Sequence, residues 1–283
     1  MMSIQQLSTL WEGILSYLHP HHSACIACNR HTAMTGRIPG LCHRCIAVIP
    51  WIHQPVCRVC GRAVDCPDCR RHAFANRHFT FNRSAVQYDA EMRRWLAEYK
   101  YNGNEGYTKV IGGILKEGYY RMQQEMTSFY HHIWYPDLIT WVPASPDRLV
   151  SRGFDQAGVI AGELAKAIRV PCLPLLIRNR HTVKQSTQGR RERMKNVQGV
   201  FSYHPQAQEW LLHVLQRKAT SPTDTSLSSA IGIGDRKNIS RILLIDDIYT
   251  TGSTINSCAK ALQQAAVSRG ITAEVFALTW SRS

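Results

Sequence analysis

The sequence predicts an α/β protein: an open, mainly parallel sheet with helices on both faces, preceded by a small cysteine-rich module. Short apolar runs such as Leu138–Val142 and Ile242–Ile245 alternate with longer stretches of helical periodicity, a pattern typical of buried parallel strands and their crossover helices. Eight of the ten cysteines lie between Cys25 and Cys69, which sets that segment apart. With 283 residues, the chain is long enough to bury a full core and to carry this second module.

The charge is strongly positive, since 34 lysines and arginines face 20 acidic residues for a net charge of +14. Such a surplus suits an anionic partner, either nucleic acid or a polyphosphate ligand, although an ordinary basic protein has it too. The sequence shows no secretory signal and no apolar run of membrane-spanning length. We therefore expect a cytoplasmic protein with no membrane span.

The N-terminal residues 1–20 carry apolar side chains at helical spacing, among them Ile4, Leu7, Trp11 and Leu15. This spacing predicts an amphipathic helix that packs on its own protein, with a membrane or partner contact as the alternative.

Four Cys-x-x-Cys pairs define the next segment, residues 21–77. The pairs are Cys25/Cys28, Cys42/Cys45, Cys57/Cys60 and Cys66/Cys69. Each pair presents two thiolates from one turn, and two pairs complete a tetrahedral four-sulfur site, so the segment predicts a double zinc ribbon with two structural Zn²⁺ ions. Disulfides are the alternative, and the absence of an export signal disfavours them. Sequential and interleaved arrangements of the pairs both fit the spacing.

Two helices, at 89–100 and 106–126, are predicted to follow the module, and the apolar strand Leu138–Val142 comes after them. A small-residue loop beginning at Pro143 ends that strand, and Arg148 and Arg152 lie at the start of a helix that reaches about Ile168. A strand followed by such a loop and by arginines suits a pyrophosphate group, for which Ala144, Ser145, Arg148 and Arg152 are the candidate ligands. A proline-terminated strand with surface arginines is the alternative.

Residues 178–195 concentrate positive charge around Gly189 and predict a mobile loop. A solvated charge run is the alternative. Nucleic acid is a further candidate partner, and the arginines that we assign to it are Arg190 and Arg191 in this loop and Arg70 and Arg71 in the cysteine module.

A strand at Val197–Phe201 is predicted next. Residues 204–238 then form an insertion, with a short amphipathic piece at 210–215 and a flexible stretch rich in Ser, Thr, Gly and Asp. The last predicted core strand is Thr272–Trp280.

The segment Arg241–Thr254 combines a buried strand, two carboxylates at its end, a hydroxyl-rich loop and the start of a helix. Ligands of open α/β sheets bind at the carboxyl ends of the strands. The loop residues Thr250, Thr251, Gly252, Ser253 and Thr254 offer backbone N–H groups and a helix N-terminus to a phosphate. Asp246 and Asp247 would repel that phosphate and suit neutral hydroxyls instead, so the segment predicts a ribose 5-phosphate site.

This segment resembles the phosphoribosyl pyrophosphate (PRPP) motif of type I phosphoribosyltransferases, in which the acids hold the ribose hydroxyls and the loop holds the 5′-phosphate. Together with the cysteine pairs, KYNG at Lys100–Gly103 and VPASPDRLVSRGFDQA at Val142–Ala157, it resembles the ComF family of competence-associated proteins. Asp155 stands where that family usually has asparagine. The resemblance implies a phosphoribosyltransferase-like domain at 78–283 that binds PRPP with Mg²⁺. It also makes Lys184 and Arg193, in the loop at 178–195, candidates for pyrophosphate binding.

The resemblance further implies a role in the uptake of single-stranded DNA during natural transformation, alongside a DNA-uptake helicase. Two other functions stay open. One is an active phosphoribosyltransferase that transfers the phosphoribosyl group to a nitrogen acceptor, and the other is a regulator that senses PRPP without turning it over.

Overall fold

The computed structural model describes residues 23–34, 36–64, 66–70, 77–101, 105–179, 199–219 and 239–283. The predicted N-terminal helix lies outside these ranges. The cysteine module has little regular structure: the short antiparallel strands β1 (Ser23–Ala24) and β2 (His31–Thr32), and the short helices α1 (His43–Ala47) and α2 (Pro67–Arg70). So few elements around so many cysteines are typical of a small module held by its ligands.

The main sheet has four parallel strands in the order β3–β8–β7–β4. Their bounds are β3 (Asn82–Gln87), β4 (Leu138–Trp141), β7 (Ile239–Tyr249) and β8 (Thr272–Arg282). In the central strand β7, Leu243 and Ile245 pack into one core while Ile242 and Leu244 pack into another on the opposite face. All four are fully buried, which explains the continuous apolar run in the sequence.

Helices cover both faces of this sheet. α3 (Ala90–Tyr101), α4 (Glu105–Tyr130) and α6 (Gln156–Ile168) pack on one face, and α8 (Ser253–Val267) packs on the other. The short helix α5 (Pro146–Arg152) follows β4. The face of the sheet that α8 covers also carries a small antiparallel strand pair and one further helix. These are β5 (Leu176–Arg178), β6 (Phe201–Tyr203) and α7 (Ala207–Ala219).

The predicted α/β class with an N-terminal cysteine-rich module is therefore confirmed. Several bounds differ from the prediction. β7 continues through both carboxylates to Tyr249, because its pairing with β8 persists to Arg282. The strand predicted at Val197–Phe201 lies at Phe201–Tyr203, and Arg178 belongs to strand β5 instead of the predicted loop.

The amphipathic piece predicted at 210–215 is the longer helix α7, whose Ala207 and Leu211 are fully buried. The remainder of the predicted insertion, residues 220–238, lies outside the described ranges. Within the part of the chain that the structure describes, no helix combines the length and apolar character needed to cross a bilayer.

Candidate functional site

The eight module cysteines form two separate clusters, so the pairs combine sequentially along the chain. Within each cluster, all four sulfur atoms lie within 4.8 Å of one another, and the clusters are Cys25, Cys28, Cys42 and Cys45, and Cys57, Cys60, Cys66 and Cys69.

The sulfur separations fit a shared metal ion better than a disulfide. Sγ of Cys28 lies 3.9 Å from Sγ of Cys42, and Sγ of Cys60 lies 3.5 Å from Sγ of Cys66. A disulfide would need about 2.05 Å. A tetrahedral ion with metal–sulfur bonds of about 2.3 Å separates its ligand atoms by about 3.8 Å. Both clusters could therefore hold a metal ion.

The second candidate site lies at the carboxyl edge of the main sheet, where β7 presents Asp246 and Asp247. Both side chains are half-buried. The backbone N–H of Asp247 donates to Oδ1 of Asp246 at 2.9 Å, which holds the first carboxylate against the strand. Only Ile248 and Tyr249 separate the two acids from the loop at 250–254, so the structure keeps the order of features that the sequence predicts.

Gly252 shapes this loop. Its φ of +79° lies in the left-handed region, where a residue with a Cβ is strained. A Cβ at this position would also lie 2.1 Å from the hydroxyl of Tyr249, so there is no room for one. Helix α8 begins at Ser253, one residue later, and Oγ1 of Thr251 and Oγ of Ser253 lie 2.9 Å apart at its start. The backbone N–H of Ser253 donates to Oγ1 of Thr251 at 3.4 Å. The first N–H groups of a helix otherwise have no partner within it, so this helix start can bind an anion.

Lys100 joins the site from helix α3. Its Nζ forms an ion pair with Oδ2 of Asp247, and only 12% of the lysine side chain is exposed. The motif KYNG is part of the family resemblance, but the sequence pattern assigns Lys100 no role. A lysine in the last turn of a helix is the signal that could have found it.

The two carboxyl groups differ in their proton affinity. Burial, and next the charge of Asp247, raise the pKa of Asp246 well above its ordinary value. Burial pushes the pKa of Asp247 in the same direction, but the charge of Lys100 and its hydrogen bond outweigh it and lower that pKa. Asp247 is therefore the ionised member of the pair, and Asp246 is the member that more readily binds a proton.

Two arginines add positive charge beside the acids. Arg148 on α5 is exposed, and its charge helps to lower the pKa of Asp247. Arg178 on β5 has its guanidinium carbon 5.4 Å from the centroid of the Phe201 ring. Burial, then the charge of Arg148, lower the pKa of Arg178, while Asp246 acts in the opposite direction. Arg178 belongs to the segment predicted as a mobile loop, but its position in strand β5 brings it to the site.

Arg152 forms hydrogen bonds with two other side chains. Its Nη1 donates to Oε1 of Gln156 at 2.6 Å, and its Nη2 donates to the hydroxyl of Tyr101 at 3.0 Å. Tyr101 directly follows Lys100, so these contacts connect the end of α3 to the start of α6.

Asp155 organises the loop after β4. It is the N-cap of α6, and its Oδ1 accepts from the backbone N–H of Gly158. Its Oδ2 accepts from the backbone N–H of Ala144 at 3.2 Å and from Nε1 of Trp141 at 3.1 Å. The N–H of Ala144, a residue predicted to bind pyrophosphate, thus already has a partner. Ser145 is buried at the N-cap of α5.

The other predicted ligands cannot be placed. Lys184, Arg190, Arg191, Arg193 and Arg71 lie outside the described residues, and Arg70 is described only as the last residue of α2.

The chain is similar to three curated competence proteins. It is 26% identical over 277 residues to competence protein ComFC of Bacillus subtilis, covering 96% of this chain and 89% of that protein. It is 26% identical over 231 residues to ComFC of Streptococcus pneumoniae, covering 80% and 82% of the two chains. It is 25% identical over 138 residues to competence protein F of Haemophilus influenzae, covering 48% of each.

No protein-family model matches the chain. The similarity to the Bacillus subtilis protein nevertheless runs along nearly the whole chain, and together with the other two relatives it supports the ComF family. The resemblance drawn from the sequence motifs is therefore confirmed.

Proposed function

We propose that this chain is a competence-associated protein that binds PRPP at the carboxyl edge of its main sheet and handles single-stranded DNA during natural transformation. The observation that carries the PRPP half is the junction of β7 and α8. There, two carboxylates are followed within a few residues by a hydroxyl-rich loop and the N-terminus of a long helix.

In this proposal, Asp247 accepts hydrogen bonds from the ribose hydroxyls, since Lys100 keeps it ionised. The N–H and hydroxyl groups of residues 250–254 bind the 5′-phosphate. Arg148 offers positive charge to the pyrophosphate, and PRPP brings Mg²⁺ with it. The acids thereby orient the sugar through neutral hydroxyls, and the loop and the cations bind the charged groups.

The cysteine clusters hold two structural zinc ions in this proposal. Four thiolates per cluster and sulfur separations of 3.5–3.9 Å suit Zn²⁺, whose tetrahedral sulfur sites are closed to substrate. Zinc would supply the folding free energy of a module that has few helices and strands of its own.

The DNA half draws on the relatives, which are named competence proteins, and on the net charge of +14. Phosphate contacts by lysine and arginine bind any sequence, as a protein that handles incoming single strands must. The resemblance to the ComF family makes a DNA-uptake helicase the partner to test.

Titration calorimetry on the zinc-loaded full chain tests the proposal. PRPP should bind with Mg²⁺ and bind less tightly without it, and the titration is repeated with a single-stranded oligonucleotide present. Release of pyrophosphate on addition of candidate nitrogen acceptors separates turnover from binding alone. Folded protein that fails to bind PRPP under all of these conditions would overturn the PRPP half.

A further inference from the structure

Tyr249 and Arg282 form a buried cross-strand pair at the carboxyl edge of the sheet. They are register partners on β7 and β8, and the guanidinium carbon of Arg282 lies 4.6 Å from the centroid of the Tyr249 ring. Tyr249 is 2% exposed and Arg282 is 7% exposed. Such a stacked pair is held firmly because the sheet register fixes both backbones.

Tyr249 lies between the second cysteine cluster and the candidate phosphate loop. On the loop side, its hydroxyl occupies the space beneath Gly252. On the module side, it shares one buried core with Cys60 and Cys66, and its ring meets Phe79 edge-on with centroids 6.5 Å apart. The module is also fixed to the sheet, since Nδ2 of Asn82 donates to the carbonyl of Cys60 at 3.2 Å.

Arg282 has a buried positive charge that needs a partner. Among the described residues, its Nε and Nη1 are buried and have no hydrogen-bond acceptor. Such a charge is costly unless an anion compensates it. Four thiolates around Zn²⁺ would carry a net charge of −2. Two of these cysteines, Cys60 and Cys66, share one buried core with Tyr249, and Arg282 stacks on the ring of that tyrosine. With a metal bound, the second cluster would therefore be an anion near Arg282.

We propose that Arg282 is the outer charge partner of the second metal centre and that, through Tyr249, it couples this centre to the shape of the loop at 250–254. The first half concerns metal retention alone. The second half rests on the proposed PRPP site, because it makes Tyr249 and Arg282 positioning residues for the loop that would hold the 5′-phosphate.

The physical argument for the coupling is steric and electrostatic. If the metal were lost, four neutral thiols would replace the negatively charged metal centre. The guanidinium of Arg282, stacked on Tyr249, would then have no compensating negative charge from this cluster. A shift of Arg282 would allow the ring of Tyr249 to move. Because the tyrosine hydroxyl fills the space beneath Gly252, such a movement would also displace the glycine. Groups in the outer shell of a metal commonly change its affinity by about ten- to a hundredfold.

The test compares Arg282→Met with Arg282→Lys in the zinc-loaded full chain. Cysteines are alkylated over time in the presence of a chelator, and mass spectrometry reads the two clusters separately. Arg282→Met removes the positive charge and keeps a side chain of similar length. The thiols of the second cluster should then be alkylated at least about tenfold faster than in wild type, while the first cluster keeps its wild-type rate. The second cluster is Cys57, Cys60, Cys66 and Cys69. Arg282→Lys restores the charge and should restore most of the protection.

Arg241→Met is the matched control. Arg241 is 9% exposed on the same sheet, with its guanidinium carbon 5.4 Å from the centroid of Tyr130, but it lies toward the amino end of β7. The Arg241→Met variant should therefore show the wild-type alkylation rate at both clusters. The proposal would be overturned if the second cluster were alkylated at the same rate in Arg282→Met and in wild type. It would also be overturned if both clusters reacted faster to the same extent, or if Arg282→Lys failed to restore protection from alkylation.

Calorimetry with PRPP on the same proteins decides the second half. If wild type binds PRPP, Arg282→Met should weaken binding at least about tenfold, and Tyr249→Leu should do the same because the support beneath Gly252 is lost. Unchanged PRPP binding in both variants would overturn the coupling. If wild type does not bind PRPP, the proposed function fails and the coupling with it, whereas the alkylation result still decides the role of Arg282 at the metal.

Discussion

Lys100 on α3 and Asp247 on β7 form an ion pair at the carboxyl edge of the sheet, and most of both side chains is buried. A partly buried ammonium that loses the carboxylate of its ion pair pays a desolvation cost that is no longer fully compensated. The carboxylate of Asp247 thus has two roles: it would bind a ribose, and it compensates a lysine in the free protein.

Asp247→Asn should lower the free energy of unfolding by about 1–3 kcal/mol, because it leaves Lys100 without its anionic partner. It should also weaken PRPP binding by about ten- to a hundredfold through the loss of charge-assisted hydrogen bonds. Urea unfolding and calorimetry measure the two effects. Asp246→Asn is the control for stability, since it removes the neighbouring charge without taking the partner of Lys100. A variant at 247 as stable as wild type would show that the ion pair contributes nothing.

The stability difference between wild type and Asp246→Asn should depend on pH. The pKa of Asp246 is raised in the folded protein by burial and by Asp247, so folding favours its protonated form. The resulting stabilisation is fully present below the unfolded pKa of about 3.9 and is lost as pH rises through the folded pKa. Wild type should therefore lose stability relative to the asparagine variant as pH increases above about 4.

Parallel urea titrations of the two proteins at each pH measure this difference. Metal loss at low pH affects both proteins alike and cancels. A difference that is constant across the pH range would contradict the raised pKa.

Gly252→Ala should destabilise the protein more than Gly153→Ala. Both glycines have a positive φ, +79° and +77°, so both substitutions cost backbone strain of about 1–2 kcal/mol. A Cβ at Gly153 meets nothing within 4 Å, whereas one at Gly252 meets the hydroxyl of Tyr249. The excess measured at Gly252 by urea unfolding therefore reports the contact with Tyr249. Equal losses would mean that the loop moves freely away from the ring.

Protein purified without added metal should contain about two zinc ions per chain by elemental analysis, one for each four-sulfur cluster. Cys57→Ser should reduce this content to about one, because three thiolates remain in its cluster. Cys172→Ser is the control, since Cys172 lies outside both clusters and should leave the metal content unchanged. Iron in place of zinc, or intact disulfides by mass spectrometry, would be incompatible with this prediction.

Single-stranded DNA should bind with an affinity that falls steeply with salt, and charge reversal of Arg70 and Arg71 to glutamate should weaken binding of every sequence. Each phosphate contact that is lost should reduce the slope of log K against log salt by about 0.7. Fluorescence anisotropy across a salt series measures it. Charge reversal of the exposed Lys166 and Lys260 makes the same change in net charge at another place. Equal weakening by both double variants would mean that the two arginines form no specific contact surface.

The sequence by itself determined those features that short segments encode. The Cys-x-x-Cys spacing predicts metal sites because two thiolates from one turn need no distant residue to be placed. The apolar run of β7 predicts a buried strand because a strand covered on both faces has no polar positions. The strand, acids, loop and helix between Arg241 and Thr254 predict an anion site, since their order along the chain is also their order in space.

Only the tertiary structure decided how distant segments meet. The sequential pairing of the cysteines, left open by spacing, depends on how the module folds. Lys100 meets Asp247, and Arg282 meets Tyr249, because sheet order and helix packing bring separate segments to one edge. Such contacts leave no periodic pattern in the sequence. The different proton affinities of Asp246 and Asp247, two identical neighbours in the chain, have the same origin: burial and one lysine set them apart.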